Sequence, residues 1–196
     1  MAQQRAVERR NRILDAALDV FAGKGYQGAG VDEIAAAAET SKGGVYFHFP
    51  GKEALFLALL DRAATRLRRR IEAAVEAEAD PARRADAALA TVVEVFSKRR
   101  GLARVLMVEA LGAGPAFHRR MAELRTDFAA VVSRQLQRAV EVGAVEPLDT
   151  AVAGRAWFGA VNEVVTQWVL DDEAWSLDDA YHALAPLLRR SVGLEA

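Results

Sequence analysis

Apolar residues recur at intervals of three and four through most of the chain, the spacing expected of helices that bury one face. The first series is Ile13, Leu14, Ala17, Leu18 and Phe21. It ends at Lys24-Gly25, a combination typical of a helix terminus. From Lys52 onward the pattern is almost wholly helical and contains no internal repeat or low-complexity linker. The pattern therefore predicts an all-α protein of about nine helices.

Capping residues divide the region after Lys52 into separate helices. Asp80-Pro81 places a capping carboxylate and then a proline at the first helical position. Ser176 is a capping residue followed by Asp178 and Asp179 in the first turn of the next helix. The predicted helices in this region are 52–75, 81–98, 102–111, 117–143, 150–170 and 177–190. We expect the first of them to join an N-terminal head to a second helical body.

Two short helices precede Lys52. The first, VDEIAAAA over residues 31–38, has Gly30 at its N-cap position and two acids in its first turn, where the helix dipole favours them. The run from Thr40 to Glu53 contains Gly43 and Gly44, and glycine in a helix interior costs about 1 kcal/mol relative to alanine. This second segment is therefore expected to bring its backbone close to another molecule. A short supporting helix followed by an exposed one is typical of a helix-turn-helix.

The polar groups around the two glycines are those that DNA phosphates and base edges require. Ser41 can cap the helix, Lys42 supplies a cation in its first turn, and three hydrogen-bond donors follow. The residues of this segment predicted to bind DNA are Ser41, Lys42, Gly43, Gly44, Tyr46, His48 and Lys52.

The formal net charge of −1 argues against nucleic acid at first sight, but the distribution of charge matters more than the total. Residues 1–12 contain Arg5, Arg9, Arg10 and Arg12 against Glu8 alone. Taken alone, this start fits an ordinary solvated terminus as well as it fits an arm that contacts DNA. Considered together with the glycine-containing helix, an arm that contacts DNA is the better interpretation. We therefore add Arg5 and Arg9 to the predicted DNA-binding residues.

Residues 12–56 resemble the tetracycline-repressor (TetR) family of bacterial transcription regulators. The features in register are the apolar positions, Gly25-Tyr26, Ile34-Ala35, Ser41-Lys42-Gly43, Tyr46, His48-Phe49 and Lys52-Glu53. The resemblance implies a homodimer with a helix-turn-helix head and a helical ligand-binding and dimerisation body. It also implies a double-stranded DNA operator, expected to be palindromic, and a small-molecule effector that releases the protein from it.

The chain departs from the family pattern in and around the helix-turn-helix. Ala29 and Gly30 stand where a hydroxyl residue is usual, which removes a cap and a phosphate contact. Glu39 and Thr40 replace the usual glycine and apolar residue, so Glu39 is expected at a position that favours φ > 0. Two further changes are Gly44 in place of Thr or Ala, and Phe47 in place of a second aromatic hydroxyl. These differences leave the fold assignment intact and bear on operator sequence and affinity.

Composition and length add bounds to this interpretation. A chain of 196 residues with 52% hydrophobic residues can form one or two globular domains, and the absence of cysteine excludes disulfide and thiol chemistry. The N-terminus lacks an apolar signal region, and no apolar run approaches the ~20 residues that cross a bilayer. We expect a soluble, cytoplasmic protein with no membrane partner.

The helix predicted over residues 150–170 has an apolar arc of roughly 180°, wider than the stripe of about 100° that a surface helix needs. We expect one side to face its own core and the other to face the same helix in a second copy, packed with the final helix as a four-helix bundle. The alternative is a central helix in a monomeric bundle. The predicted interface residues are Val161, Val165, Trp168, Leu184 and Leu188.

Evidence for a small-molecule site is weaker, because the residue types that line ligand cavities also fill ordinary cores. The candidates are Arg104, Met107, Phe117, Met121, Trp157 and Asn162. The three histidines lack metal-ligand spacing, and no nucleophile motif, phosphate loop or HExxH occurs. We therefore expect no catalytic residues, metal or cofactor.

The sequence as a whole predicts a ligand-responsive transcription regulator, expected to be a repressor, with a DNA-binding domain over residues 1–51 and a regulatory and dimerisation domain over 52–196. One alternative is a DNA-binding dimer without a small-molecule effector, regulated by its abundance or by a protein partner. A second is a helical enzyme or ligand carrier whose head only resembles that of a repressor.

Overall fold

The computed structural model of the protein describes residues 2–171 and 175–194. All regular structure within these residues is helical, which confirms the predicted fold class. The helices are α1 (Ala2–Gly28), α2 (Val31–Ala37), α3 (Lys42–His48), α4 (Lys52–Glu76), α5 (Pro81–Lys98), α6 (100–112), α7 (Pro115–Glu141), α8 (Thr150–Leu170) and α9 (Leu177–Ser191). No helix of the described residues combines the length and apolar character needed to span a membrane.

Side-chain caps fix several of the predicted helix starts. The carboxylate of Asp80 accepts from the N–H of Ala82 at the start of α5, and that of Asp149 accepts from two N–H groups at the start of α8. Ser176 caps α9 in the same way. The predicted starts of these three helices are therefore confirmed. Each capping oxygen stabilises its helix because it accepts from backbone donors that the first turn leaves unpaired.

Two helices contain local departures from regular geometry. Gly25 interrupts α1 with φ 71° and ψ 169°, at the predicted helix end, and the chain then continues to Gly28. The middle of α6, Val105–Glu109, is a π-helical turn, a feature often found at functional positions. Nothing in the amino-acid pattern pointed to this turn.

The chain divides into two compact units. The first unit comprises the chain up to Ala64 together with Gly101–Arg120. Its core contains four aromatic rings, those of Phe21, Tyr26, Phe56 and Phe117, with centroid distances of 4.7 Å for Phe21 to Phe56 and 5.0 Å for Tyr26 to Phe117. Because rings from α4 and α7 complete this core, the first unit is larger than a three-helix head.

The second unit comprises Thr65–Arg100 and the chain from Met121 onward. Its core joins α5, α7, α8 and α9 through Leu89, Leu136, Trp157 and Leu188. The indole N–H of Trp157 donates to the hydroxyl of Ser191 at 3.1 Å, so the one polar atom of this buried ring has a partner.

Candidate nucleic-acid interface

The helix-turn-helix is formed by α2, a tight turn and α3. Ile34 and Ala35 are buried on α2, and Val45 is buried on α3. In the turn, Glu39 has φ 51°, and the N–H of Thr40 donates to the carbonyl of Ala35 at 3.0 Å. The positive φ predicted for Glu39 is confirmed. A residue with a Cβ is strained in this region, and the turn holds Glu39 there to direct the chain into α3.

The start of α3 has the cap predicted for it. The hydroxyl oxygen of Ser41 accepts a hydrogen bond from the backbone N–H of Gly44 at 3.0 Å. Val45 is only 1% exposed and anchors the opposite face of the helix in the core of the first unit. The remaining side of α3 therefore faces solvent in a fixed orientation.

The outward face of α3 contains the candidate DNA contacts. Lys42 and Gly43 are exposed, and Tyr46 is 45% exposed. Phe47 is 83% exposed and contacts the ring of His48 edge-on at 5.2 Å. Sequence reasoning did not include Phe47 among the site residues, although its position between two predicted contacts was a usable signal. An exposed phenylalanine can contact the methyl group of thymine in the major groove.

The two glycines of α3 have different surroundings. A Cβ at Gly43 would meet only the hydroxyl of Ser41, at 3.8 Å, so its backbone is open to a partner. A Cβ at Gly44 would collide with the hydroxyl of Thr40. Gly43 therefore fits the predicted role of close approach to DNA, whereas Gly44 accommodates a neighbour within the turn.

Two lysines near this face are paired with acids of α2. The amino group of Lys42 lies 2.9 Å from a carboxylate oxygen of Asp32, and Lys24 is paired with Glu33. The hydrogen bond to Asp32 and then its charge raise the pKa of Lys42 above its ordinary value. Glu33 also accepts from the backbone N–H of Gly30 at 3.2 Å, which satisfies the N-cap residue's own donor, while Gly30 has no side chain to cap the first turn of α2. Both pairs are exposed and weak enough to exchange for phosphate.

The arginine-rich start is helical rather than an extended arm, because α1 begins at Ala2. Arg5 and Arg9 are exposed on its first turns. The guanidinium of Arg10 lies 5.1 Å from the centre of the buried Phe49 ring, so this end of α1 contacts the end of α3.

The arginines of α1 also affect His48 on α3. Partial burial of His48, and then the charges of Arg9 and Arg10, lower its pKa below the ordinary value of 6.5.

Lys52 has partners within the first unit. Its amino group donates to the carbonyls of Ala29 at 3.0 Å and Gln27 at 3.3 Å and lies 4.7 Å from the centre of the Tyr26 ring. It therefore fixes the start of α4 against the segment that precedes α2. A role for Lys52 in binding DNA stays a prediction.

The residues predicted to bind an effector are divided between the two units. Arg104, Met107 and Phe117 belong to the first unit, where Arg104 lies 3.6 Å from the carboxylate of Glu109 and Phe117 is 2% exposed in the aromatic core. Met121, Trp157 and Asn162 belong to the second unit, where Trp157 is also a core residue and Asn162 lines a surface groove. Phe117 and Trp157 therefore have a packing role, and a role for any of the six residues in binding an effector stays a prediction.

The predicted dimer-interface residues pack within one chain. Val165, Trp168 and Leu188 are 2%, 7% and 9% exposed, and Val161 and Leu184 lie half-buried against the core of the second unit. Intramolecular packing therefore accounts for much of the wide apolar arc of α8. The large hydrophobic side chains of α8 and α9 that are exposed are those of Val152, Leu170 and Leu187.

A capped, exposed helix with an open glycine, supported by a second short helix across a tight turn, defines a helix-turn-helix DNA-binding protein. Matches to protein-family models identify the family of this chain. Residues 13–59 match the bacterial regulatory proteins of the tetR family, and residues 78–192 match the tetracyclin repressor-like C-terminal domain. The chain belongs to the TetR family and is a DNA-binding transcription regulator.

Related proteins cover nearly the whole chain. It is 24% identical over 178 residues to the fatty acid metabolism regulator protein of Bacillus subtilis, covering 90% of this chain and 92% of that one. The fatty acid degradation regulator FadR from Bacillus halodurans has a TM-score of 0.85 at 26% identity, covering 91% of this chain and 96% of that one. FadR from Bacillus subtilis in complex with stearoyl-CoA has a TM-score of 0.84 at 24% identity, with 90% and 96% covered.

Proposed function

We propose that this protein is a homodimeric repressor that binds a palindromic operator and leaves it when a small-molecule effector binds. The observation that carries the DNA-binding part is the outward face of α3, where Lys42, Gly43, Tyr46 and Phe47 lie open on a helix anchored by Val45. In such dimers the two recognition helices enter successive major grooves about 34 Å apart. The protein then acts in the cytoplasm, on chromosomal DNA.

Each part of this face has a role in the proposed complex. Gly43 allows the backbone to approach DNA, Lys42 and the first turns of α1 meet phosphates, and Tyr46 and Phe47 reach base edges. Residues 1–51 form the DNA-binding domain and residues 52–196 the regulatory and dimerisation domain. The exposed apolar residues Val152, Leu170 and Leu187 provide the contact between copies.

The proposed effector is a fatty acyl thioester of coenzyme A. Support comes from the relatives, since one is a fatty acid metabolism regulator and another has stearoyl-CoA bound. Because α4 is one continuous helix over Lys52–Glu76, an effector that shifts it changes the separation of the two recognition helices. An effector that binds the DNA-free conformation more tightly than the DNA-bound one by a few kcal/mol is enough to release the protein from its operator.

The DNA-binding part is tested by gel shift with the DNA upstream of the gene itself. Gly43→Ala and Gly43→Val should each weaken binding, the second more, because their side chains block the approach of the backbone. Gly23→Ala is the matched control, since a Cβ at Gly23 would meet nothing within 4 Å and Gly23 lies in α1, outside the helix-turn-helix. Wild-type affinity in the Gly43→Val protein would contradict the proposal.

The effector part is tested on the preformed complex with stearoyl-CoA, with CoA alone and with stearate. We expect the thioester to dissociate the complex at concentrations at which CoA alone does not. If the protein binds its operator tightly and none of the three releases it, the alternative of a DNA-binding dimer without such an effector is favoured.

A further inference from the structure

A groove of about 440 Å³ lies between α7 and α8 in the second unit. Arg125 and Ala129 line it from α7, and Arg155, Phe158, Gly159 and Asn162 line it from α8. The residues of α8 follow the spacing of three and four that places side chains on one helix face. Two cationic side chains therefore border the same largely apolar hollow.

The groove is held open by the packing of the two helices. At Gly154 a Cβ would lie 2.7 Å from the carbonyl oxygen of Ala129 and 3.0 Å from the N–H nitrogen of Ser133, so the backbones of α8 and α7 already touch there. The helices cannot approach further at this crossing. Small side chains leave the adjacent hollow unfilled, and a Cβ at Gly159 would meet no atom within 4 Å.

The two arginines of the groove can donate hydrogen bonds to a bound anion. The Nε of Arg125 is buried and has no hydrogen-bond partner. Neither Arg125 nor Arg155 forms an ion pair with a carboxylate of the described residues. A buried donor without a partner costs free energy, and an anion would satisfy it. Guanidinium groups bind phosphate and carboxylate oxygens in pairs, which makes them suited to this task.

An apolar surface lies beside the two charges. The ring of Phe158 is half-buried and stacks on the ring of Phe128, with centroids 6.4 Å apart and planes inclined by 18°. Its position is therefore fixed by packing. The side-chain amide of Asn162 adds a donor and an acceptor at the same groove.

We propose that this groove binds an amphiphilic anion, with a phosphate or carboxylate held by Arg125 and Arg155 and an attached apolar group packed on Phe158. This inference rests on the proposed function, because it assigns part of the effector to a place in the second unit. Two ligands share the chemistry: the nucleotide end of a CoA thioester, and a fatty acid.

The test is isothermal titration of the full chain, without DNA, with adenosine 3′,5′-bisphosphate and separately with dodecanoate. We expect one of the two to bind, and Arg125→Gln and Arg155→Gln each to weaken it roughly tenfold to hundredfold, the usual effect of losing a charged hydrogen bond. Binding of the bisphosphate alone assigns the groove to the CoA end, and binding of dodecanoate alone assigns it to a fatty acid. Arg138→Gln, an exposed arginine elsewhere on α7, should leave binding unchanged.

Gly159→Leu fills the groove without touching either arginine. It should abolish probe binding while the melting temperature stays equal or rises, because glycine is a poor helix former. The proposal is overturned if neither probe binds, if Arg138→Gln weakens binding as much as the groove variants, or if Gly159→Leu still binds. A change of molar mass in Gly159→Leu would assign the groove to contact between copies and also overturn it.

Failure of this inference can be told apart from failure of the proposed function. A wild-type protein that shifts operator DNA but binds neither probe refutes the groove alone. A wild-type protein that binds a probe but shifts no DNA refutes the regulator and leaves the groove intact.

Discussion

The carboxylate of Glu109 accepts a hydrogen bond from the backbone N–H of Tyr26 at 3.1 Å, across 83 positions of the chain. The bond closes the break in α1, because Tyr26 follows Gly25, whose φ of 71° ends the regular helix. Glu109 is the last residue of the π-helical turn of α6, and its other oxygen lies 3.6 Å from Arg104. A distant helix thus supplies the acceptor that the interrupted helix lacks.

Loss of this acceptor should destabilise the first unit. Glu109→Ala leaves the part-buried N–H of Tyr26 unsatisfied and should lower the free energy of unfolding by about 1 to 3 kcal/mol. Glu109→Gln retains a carbonyl acceptor and should cost less. Urea denaturation followed by circular dichroism measures both, with Glu146→Ala in an exposed loop as control. Equal stability of the Glu109→Ala and Glu146→Ala proteins would contradict the assigned role.

The pair between Lys42 and Asp32 should reduce DNA affinity, because it must open before Lys42 can meet a phosphate. Asp32→Asn removes the competing carboxylate and should tighten operator binding a few-fold at low salt. Lys42→Ala should weaken binding and lower the salt dependence by about one phosphate contact. Fluorescence anisotropy at several salt concentrations measures both effects.

Asp19→Asn is the control for general charge, since Asp19 is an exposed acid of the same unit. If Asp19→Asn tightens binding as much as Asp32→Asn, the gain comes from net charge and not from release of Lys42.

The lowered pKa of His48 predicts a pH-dependent stability. Burial and the charges of Arg9 and Arg10 disfavour protonation in the folded state, so the unfolded chain binds this proton more readily. Stability contributed by neutral His48 is present above the ordinary pKa of 6.5 and is lost as the pH falls through the window below it. Urea denaturation at pH 7.5 and 5.5 should show a larger loss in the wild type than in His48→Gln. Equal losses would show that His48 does not titrate in this window.

Operator binding should respond to pH in the opposite sense. A phosphate placed near His48 favours the protonated ring, so binding takes up a proton and should strengthen as the pH falls from 8 to 6. The affinity of the His48→Gln protein for the operator should change less with pH over this range. A wild-type affinity that is flat over this range would place His48 away from the phosphates.

Charge placed on the exposed apolar residues should separate assembly from folding. Leu187 is 56% exposed on α9, so Leu187→Glu should produce monomers by light scattering with little change in melting temperature. Trp168 is 7% exposed beneath the guanidinium of Arg100, so Trp168→Glu should unfold the second unit instead, at a cost of about 3 kcal/mol or more.

Val142→Glu is the control for an exposed apolar residue on another helix end, since Val142 is 71% exposed. It should change neither mass nor melting temperature. A wild-type protein that is monomeric at micromolar concentration, free and on DNA, would refute the dimer.

The amino-acid sequence by itself determined the helices and most of their starts, because caps such as Ser41, Asp80 and Asp149 act on the backbone two or three residues away. The spacing of a single helix also predicted which residues share the exposed face of α3, and the resemblance to the TetR family predicted the unusual φ of Glu39. Fold class could be predicted from helical periodicity, and the DNA-binding class from the helix-turn-helix pattern and the TetR resemblance of residues 12–56.

Only the tertiary structure decided which apolar residues are core and which are open. Trp168 and Leu187 both follow helical spacing, but packing buries the first and leaves the second exposed. Tertiary structure also placed Glu109 beside Tyr26, engaged Lys52 with the carbonyls of Ala29 and Gln27, and set Arg125 and Arg155 around one groove. These relationships join residues far apart in the chain, and the periodicity of one helix carries no information about the surface of another.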